Sequence, residues 1–140
     1  MSLHRLFSDG AARGNPGPAG AGALIQDEKG QVVGEISEYL GETTNNQAEY
    51  QALLLGLAKA HELKVKNLEV FLDSELVVKQ LNGQYRVKHP DLIPLFEKVK
   101  RQLEEFHTRK VAHVYREMNQ EADRLANLAI DRHFLGRSKK

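Results

Sequence analysis

Four carboxylates stand out by where they sit. Asp9 follows the apolar run LHRLF through a single Ser, and Asp73 closes the apolar run LEVFL. On a helix, Glu49 shares a face with Leu53, Gly56, Leu57 and Ala60, extending the core-facing stripe one turn toward the N-terminus. Asp123 lies in the same way on the side of Ala126, Asn127 and Ile130. Singly, each has an ordinary explanation: an acid in a first helical turn suits the dipole, and an acid after a strand caps the next helix. Asp-Gly and Asn-Pro-Gly in FSDGAARGNPGPAGAG are also ordinary turn chemistry. Four such acids together ask for a common reason. Carboxylates gathered in one partly desolvated place repel, and their pKa values rise unless cations offset the charge. Oxygen ligands without His or Cys select Mg²⁺ or Mn²⁺ over zinc. Two such ions roughly 3.5–4 Å apart can activate a water and stabilise a leaving oxygen in phosphoryl chemistry. The histidines at 4, 61, 89, 107, 113 and 133 show no metal-ligand spacing and are expected in surface or structural roles.

The elements that would carry these acids can be read in order. Leu3 to Ser8 forms a first strand, and Ala19 to Gln26 with Gln31 to Glu38 forms a hairpin across DEKG, where Gly30 suits a tight turn. TTNNQAEYQALLLGLAKAHEL is a helix, with Thr44 or Asn45 as its N-cap. Asn67 to Leu72 is a buried strand, and Ser74 to Leu81 a helix stopped near Gly83. A charged amphipathic helix lies within Pro90 to Phe106, a strand over Lys110 to Tyr115, and a last helix over Asn119 to Phe134. A strand meander followed by strands alternating with helices predicts an α/β layer fold with a mixed sheet. One domain over residues 1–135 and a disordered basic tail, GRSKK at 136–140, complete the expected organisation.

Composition narrows the function classes. At 140 residues the chain is long enough for one domain that buries about two-thirds of its unfolded surface. It has 41% hydrophobic and 28% charged residues and no cysteine, which excludes a disulfide framework and any thiolate metal site. No run approaches membrane-spanning length, and the N-terminus lacks a basic-then-apolar leader pattern. A soluble, cytoplasmic protein is the expectation. The net charge of +1 neither announces nor excludes a nucleic-acid partner, since a local basic patch can coexist with an acidic site.

SDGAARGNPGPAGAG, TTNNQAEYQALLLGL, FLDSELVVKQLNG and REMNQEADRLANLA, in this order and each with its acid, resemble the ribonuclease H type 1 family over roughly residues 3 to 134. The resemblance implies a ribonuclease H-like α/β fold, a five-stranded mixed sheet with helices on both faces. It implies a monomeric endonuclease that hydrolyses the RNA strand of RNA–DNA hybrids to 5′-phosphate and 3′-hydroxyl products with two Mg²⁺ ions, Mn²⁺ being an alternative. Asp9, Glu49, Asp73 and Asp123 would then be the catalytic, metal-binding set, with Asp9 bridging both ions. The glycines after Asp9 would let a nucleic-acid backbone come close. Asn15 would bind a ribose 2′-hydroxyl, the group that separates RNA from DNA. Asn45 and Asn46 would contact the minor groove, and Thr44 a phosphate at the helix N-terminus.

Two departures bear on function. The segment between Asn82 and Asp91 is too short for the basic, Trp-containing protrusion of some members, and Arg86, Lys88 and His89 supply only a reduced version. Between Tyr115 and Asp123 the family's Gly- and His-containing loop is replaced by REMNQEA, in which Arg116 is the candidate substitute near the scissile phosphate. Two other readings stand beside the lead one. A different polynucleotidyl transferase of the same fold would have no use for ribose-reading amides. A catalytically weak hybrid-binding module that keeps the fold is disfavoured by all four acids, since clustered like charges are costly without a metal to offset them.

Overall fold

The computed structural model describes residues 2–138. Strands β1 (Leu3–Ala12), β2 (Gly17–Gln26) and β3 (Val32–Thr43) form an antiparallel meander. Helix α1 (Asn45–Glu62) then leads to β4 (Asn67–Leu72), which pairs parallel to β1. Two helices, α2 (Glu75–Leu81) and α3 (Ile93–Glu104), precede β5 (Thr108–His113), parallel to β4. A single 3-10 turn (Arg116–Met118) joins β5 to α4 (Gln120–Ser138). The sheet order is β3-β2-β1-β4-β5. This is the expected five-stranded mixed sheet.

The period of the strands separates two apolar layers. Leu6, Ala23, Ile25 and Val70 join Tyr50, Leu53 and Leu57 of α1 and Val99 and Leu103 of α3 in the larger core. On the other face Leu24 and Phe7 pack against Ala122 and Leu125 of α4. Buried Tyr50 ties α1 to α2, its hydroxyl donating to Gln80 Oε1 at 2.6 Å. Among the described residues no helix is long and apolar enough to cross a membrane.

Besides β3 running on to Thr43 and β5 lying two residues earlier than expected, at Thr108–His113, three expectations change. The first strand does not stop at Ser8: it continues to Ala12, with Asp9 paired to Gly22 and Ala12 to Ala19. Asp9 is therefore held inside a strand and not in a turn. Small residues with little strand propensity are kept extended there because two helices lie directly on them. The glycines serve those helices. A Cβ on Gly10 would overlap the Ala48–Glu49 backbone of α1, and one on Gly22 would overlap the Ala122 carbonyl of α4. Gly10, Gly17, Gly20 and Gly22 are buried, with Gly10 at the wall of the cleft that holds the acids, while Gly14, at φ +118°, is exposed. Lastly, the segment 136–140 expected to be disordered is helical as far as Ser138, and 139–140 lie outside the described residues. His133 near that end stacks on Tyr39 of β3 with ring centroids 3.7 Å apart, and from such an anchor each further residue adds a helical hydrogen bond at little cost.

Candidate active site

The same close contacts that build the fold bring the acids together. Ser8 of β1 pairs with Leu72 of β4, so the residues that follow, Asp9 and Asp73, emerge side by side at the carboxyl end of β4. Gly10 admits the α1 backbone at Ala48 and Glu49, which sets Glu49 beside Asp9. Gly22, opposite Asp9, admits α4 at Ala122, which brings in Asp123 from the other face. Asp9, Glu49 and Asp73 each place a carboxylate oxygen within 4.8 Å of the others. Asp123 faces the same open cleft of about 350 Å³, together with Asn45, Asn46, Ser74 and Arg116. The four sequence-predicted acids thus meet at one place.

Local hydrogen bonds explain how each is held. Asp73 lies between the end of β4 and Ser74, whose Oγ caps α2 by accepting from Val77 N at 3.3 Å. Asn119, only 1% exposed, donates through Nδ2 both to Ser8 O and to Asp73 Oδ2, at 3.0 Å each. Asn127 Nδ2 reaches Asp123 Oδ1 at 3.2 Å. Neither Asn119 nor Asn127 stands out in the sequence as a residue that holds an acid. The only signal was an amide just before, or one turn into, the last helix, and caps and surface residues give the same signal.

The substrate candidates form the rim. Thr44 caps α1: its Oγ1 accepts from Gln47 N at 3.2 Å and lies 3.0 Å from Gln47 Oε1. That bonding engages the hydroxyl, so a phosphate arriving there would meet the N-terminal backbone of α1. Asn45 Oδ1 accepts from Ala12 N at 3.2 Å, and Asn45 N donates to Asn15 Oδ1 at 3.1 Å. Asn15 is exposed and does not line the cleft itself, but it is tied to Asn45, which does. Arg116 lines the cleft from the 3-10 turn. Among the histidines, His61 stacks on Phe106 and His133 on Tyr39, in structural roles.

The electrostatics show what the cluster lacks. Burial pushes the Asp9 carboxyl up from 3.8 to about 7, with the charges of Asp73 and Asp123 adding to the effect and a hydrogen bond from Glu49 opposing it. Glu49 is raised well above the usual carboxylate range, first by burial and then by the charge of Asp9. Its Oε2 is buried with no hydrogen-bond partner. An unpartnered buried carboxylate oxygen facing other carboxylates fits a hard divalent cation, and the donor set, oxygen throughout, fits Mg²⁺ or Mn²⁺.

Comparison with known proteins agrees with this geometry. A family model described as reverse transcriptase-like matches residues 7–129. Ribonuclease HI of Halobacterium salinarum is 41% identical over 129 residues, 92% of this chain and 64% of its own length. A bifunctional protein of Mycobacterium tuberculosis is 42% identical over 127 residues, 90% of this chain but 35% of its own length. The chain therefore spans between about a third and two-thirds of these curated relatives. The crystal structure of the Halobacterium salinarum enzyme superposes with a TM-score of 0.90 at 40% identity, covering 92% of this chain and 98% of that one. LC11-RNase H1, isolated from compost, has been crystallised in complex with an RNA/DNA hybrid. It superposes with a TM-score of 0.87 at 43% identity, covering 96% and 99% of the two chains.

Proposed function

The chain belongs to the ribonuclease H type 1 family, and on that premise we propose that it is an endonuclease hydrolysing the RNA strand of RNA–DNA hybrids to 5′-phosphate and 3′-hydroxyl ends. One observation carries the reading: three carboxylates within 4.8 Å of one another, one with an unpartnered buried oxygen, open onto a cleft rimmed by side-chain amides. Asp9, Glu49, Asp73 and Asp123 would hold Mg²⁺ or Mn²⁺. When bound, such ions activate a water and stabilise the leaving oxygen of a phosphodiester.

The chain's own residues orient the substrate. Asn15 has its amide oxygen engaged by Asn45 N, so its Nδ2 remains as a donor, suited to the oxygen of a ribose 2′-hydroxyl. Asn45 likewise keeps its NH₂ after accepting from Ala12 N, and Asn46 lies beside it in the cleft. Arg116 brings a permanent cation to a cleft whose other charged lining residues are acids, and suits the charge of the scissile phosphate. Asn119 holds Asp73 from below, which keeps that carboxylate at the end of β4.

The test is a substrate panel: labelled RNA–DNA hybrid, duplex DNA and duplex RNA, each with Mg²⁺ and with EDTA. Cleavage of the hybrid in Mg²⁺, with duplex DNA intact, is expected. Preferred cleavage of duplex DNA would point to another nuclease of the same fold, and tight hybrid binding with no cleavage to a binding module.

A further inference from the structure

Arg13 lies between Asp9 and Asn15 and has no part in the chemistry above, yet its side chain reaches across to α4. Its Nη1 donates to Asp131 Oδ1 at 2.8 Å, and its Nη2 to Asn127 Oδ1 at 3.2 Å. Asn127 stands one helical turn after Asp123, and its Nδ2 donates to Asp123 Oδ1 at 3.2 Å and to Asp123 O at 3.0 Å. The amide of Asn127 is thus polarised from both ends. Turned over, it would set its NH₂ against a guanidinium and its carbonyl against a carboxylate, two repulsions in place of two attractions. Arg13 and the two oxygens of Asp123 therefore favour the same orientation of the Asn127 amide.

Glu49 and Asp73 have their own supports, Gly10 N–H and Asn119. Asp123 comes from the opposite face of the sheet, outside the trio that lies within 4.8 Å, and Asn127 is its side-chain donor. Arg13 is itself fixed, since its N–H donates to Pro18 O at 2.8 Å and Gly17 packs on its carbonyl where a Cβ would overlap.

We propose that Arg13 and Asn127 form a positioning pair that aims Asp123 into the cleft, and that the segment presenting Asn15 to the RNA is thereby built into the placement of the fourth acid. This rests on the reading of Asp123 as a metal-binding catalytic acid. Asn127 acts by donating to Asp123, and Arg13 acts through Asn127.

The experiment compares wild type, Asn127→Leu, Arg13→Met and the double variant, with Arg124→Ala as a control that breaks only a surface pair on the same helix. The Mg²⁺ concentration for half-maximal hybrid cleavage should rise about tenfold for Asn127→Leu, within the usual range for residues that orient metal ligands. It should rise less for Arg13→Met, and the double variant should match Asn127→Leu, because both changes remove one chain of contacts. A merely structural role would lower melting temperature without moving that midpoint. A second readout needs neither metal nor cleavage: the Asn127 side-chain NH₂ signals in a ¹⁵N spectrum of the metal-free protein, which should shift in Arg13→Met and stay put in Arg124→Ala. Unchanged Asn127 signals in Arg13→Met, or fully additive midpoint shifts, would overturn the pair. Asn127 signals that shift in Arg13→Met, with a wild type that cuts no hybrid, would overturn the functional reading and leave the pair standing.

Discussion

Asp9→Asn should abolish cleavage and yet make the metal-free protein more stable at neutral pH. The carboxyl of Asp9 sits at about 7 in the folded protein against 3.8 as its ordinary value. Because the folded value is the higher one, the proton's contribution to stability is fully present below pH 3.8 and is lost as pH climbs toward about 7. A rise of about three units is worth about 4 kcal/mol at about 1.4 kcal/mol per unit. With an unfolding entropy of about 2 cal/mol/K per residue, that corresponds to a melting-temperature loss of about 10–14 °C across the window. Asn has nearly the same shape and cannot titrate, so this part of the slope vanishes. Glu49, raised in the same direction, leaves a slope of the same sign in both proteins. The assay is thermal melting of both proteins in EDTA from near pH 4 to near pH 8. The two should melt together at the acid end, with the variant the more stable by several degrees at neutral pH. Added Mg²⁺ should then stabilise wild type by linkage, by about 2.7 kcal/mol at a hundredfold excess over Kd, and the variant less. Parallel melting curves at every pH would refute the desolvated, repelling cluster. A variant melting well below wild type in EDTA would make Asp9 a structural partner.

Ca²⁺ should support little hybrid cleavage where Mg²⁺ or Mn²⁺ supports it well, since Ca²⁺ takes about 6–8 ligands at looser distances; equal rates with Ca²⁺ would contradict the proposed site. Asn15→Ala should weaken hybrid binding, measured without divalent metal, and leave duplex DNA binding nearly unchanged, because it removes an amide donor and leaves phosphate attraction in place; equal losses would make Asn15 a backbone contact. Gly22→Ala should cost about 1–3 kcal/mol in chemical denaturation by forcing α4 off β2 at Ala122, and should lower cleavage further through Asp123. A fully stable Gly22→Ala would mean that α4 does not need that contact.

Much of the fold is legible in the sequence where apolar patterning is strong. β4 runs from Asn67 to Leu72 as expected, because NLEVFL is a compact apolar run bounded by polar residues. The extension of β1 past Asp9 is not legible, because Gly and Ala carry turn signals locally and are held extended only by helices from elsewhere in the chain. The acids are visible because Glu49 and Asp123 interrupt or extend apolar stripes, a mismatch between type and position that patterning detects. Asn119, Asn127 and Arg13 leave no such mark. Their partners lie far off in sequence, 111 residues between Asn119 and Ser8 and 114 between Arg13 and Asn127, and only the folded chain brings them together. Arg116 shows the intermediate case, a lone cation in REMNQEA that lines the cleft from the 3-10 turn.

The central claim, that these carboxylates hold ions for water to attack an RNA phosphate in a hybrid, meets its most direct test in the chemistry of the cut ends. Wild-type protein is mixed in EDTA with a hybrid labelled separately on each strand, excess Mg²⁺ is added, and the products are resolved by end group. No cutting is expected before Mg²⁺, then internal cuts in the RNA strand alone, with 5′-phosphate and 3′-hydroxyl ends. Cutting in EDTA, cutting of the DNA strand, or 2′,3′-cyclic phosphate ends would contradict it, the last because the ribose hydroxyl and not water would then be the nucleophile.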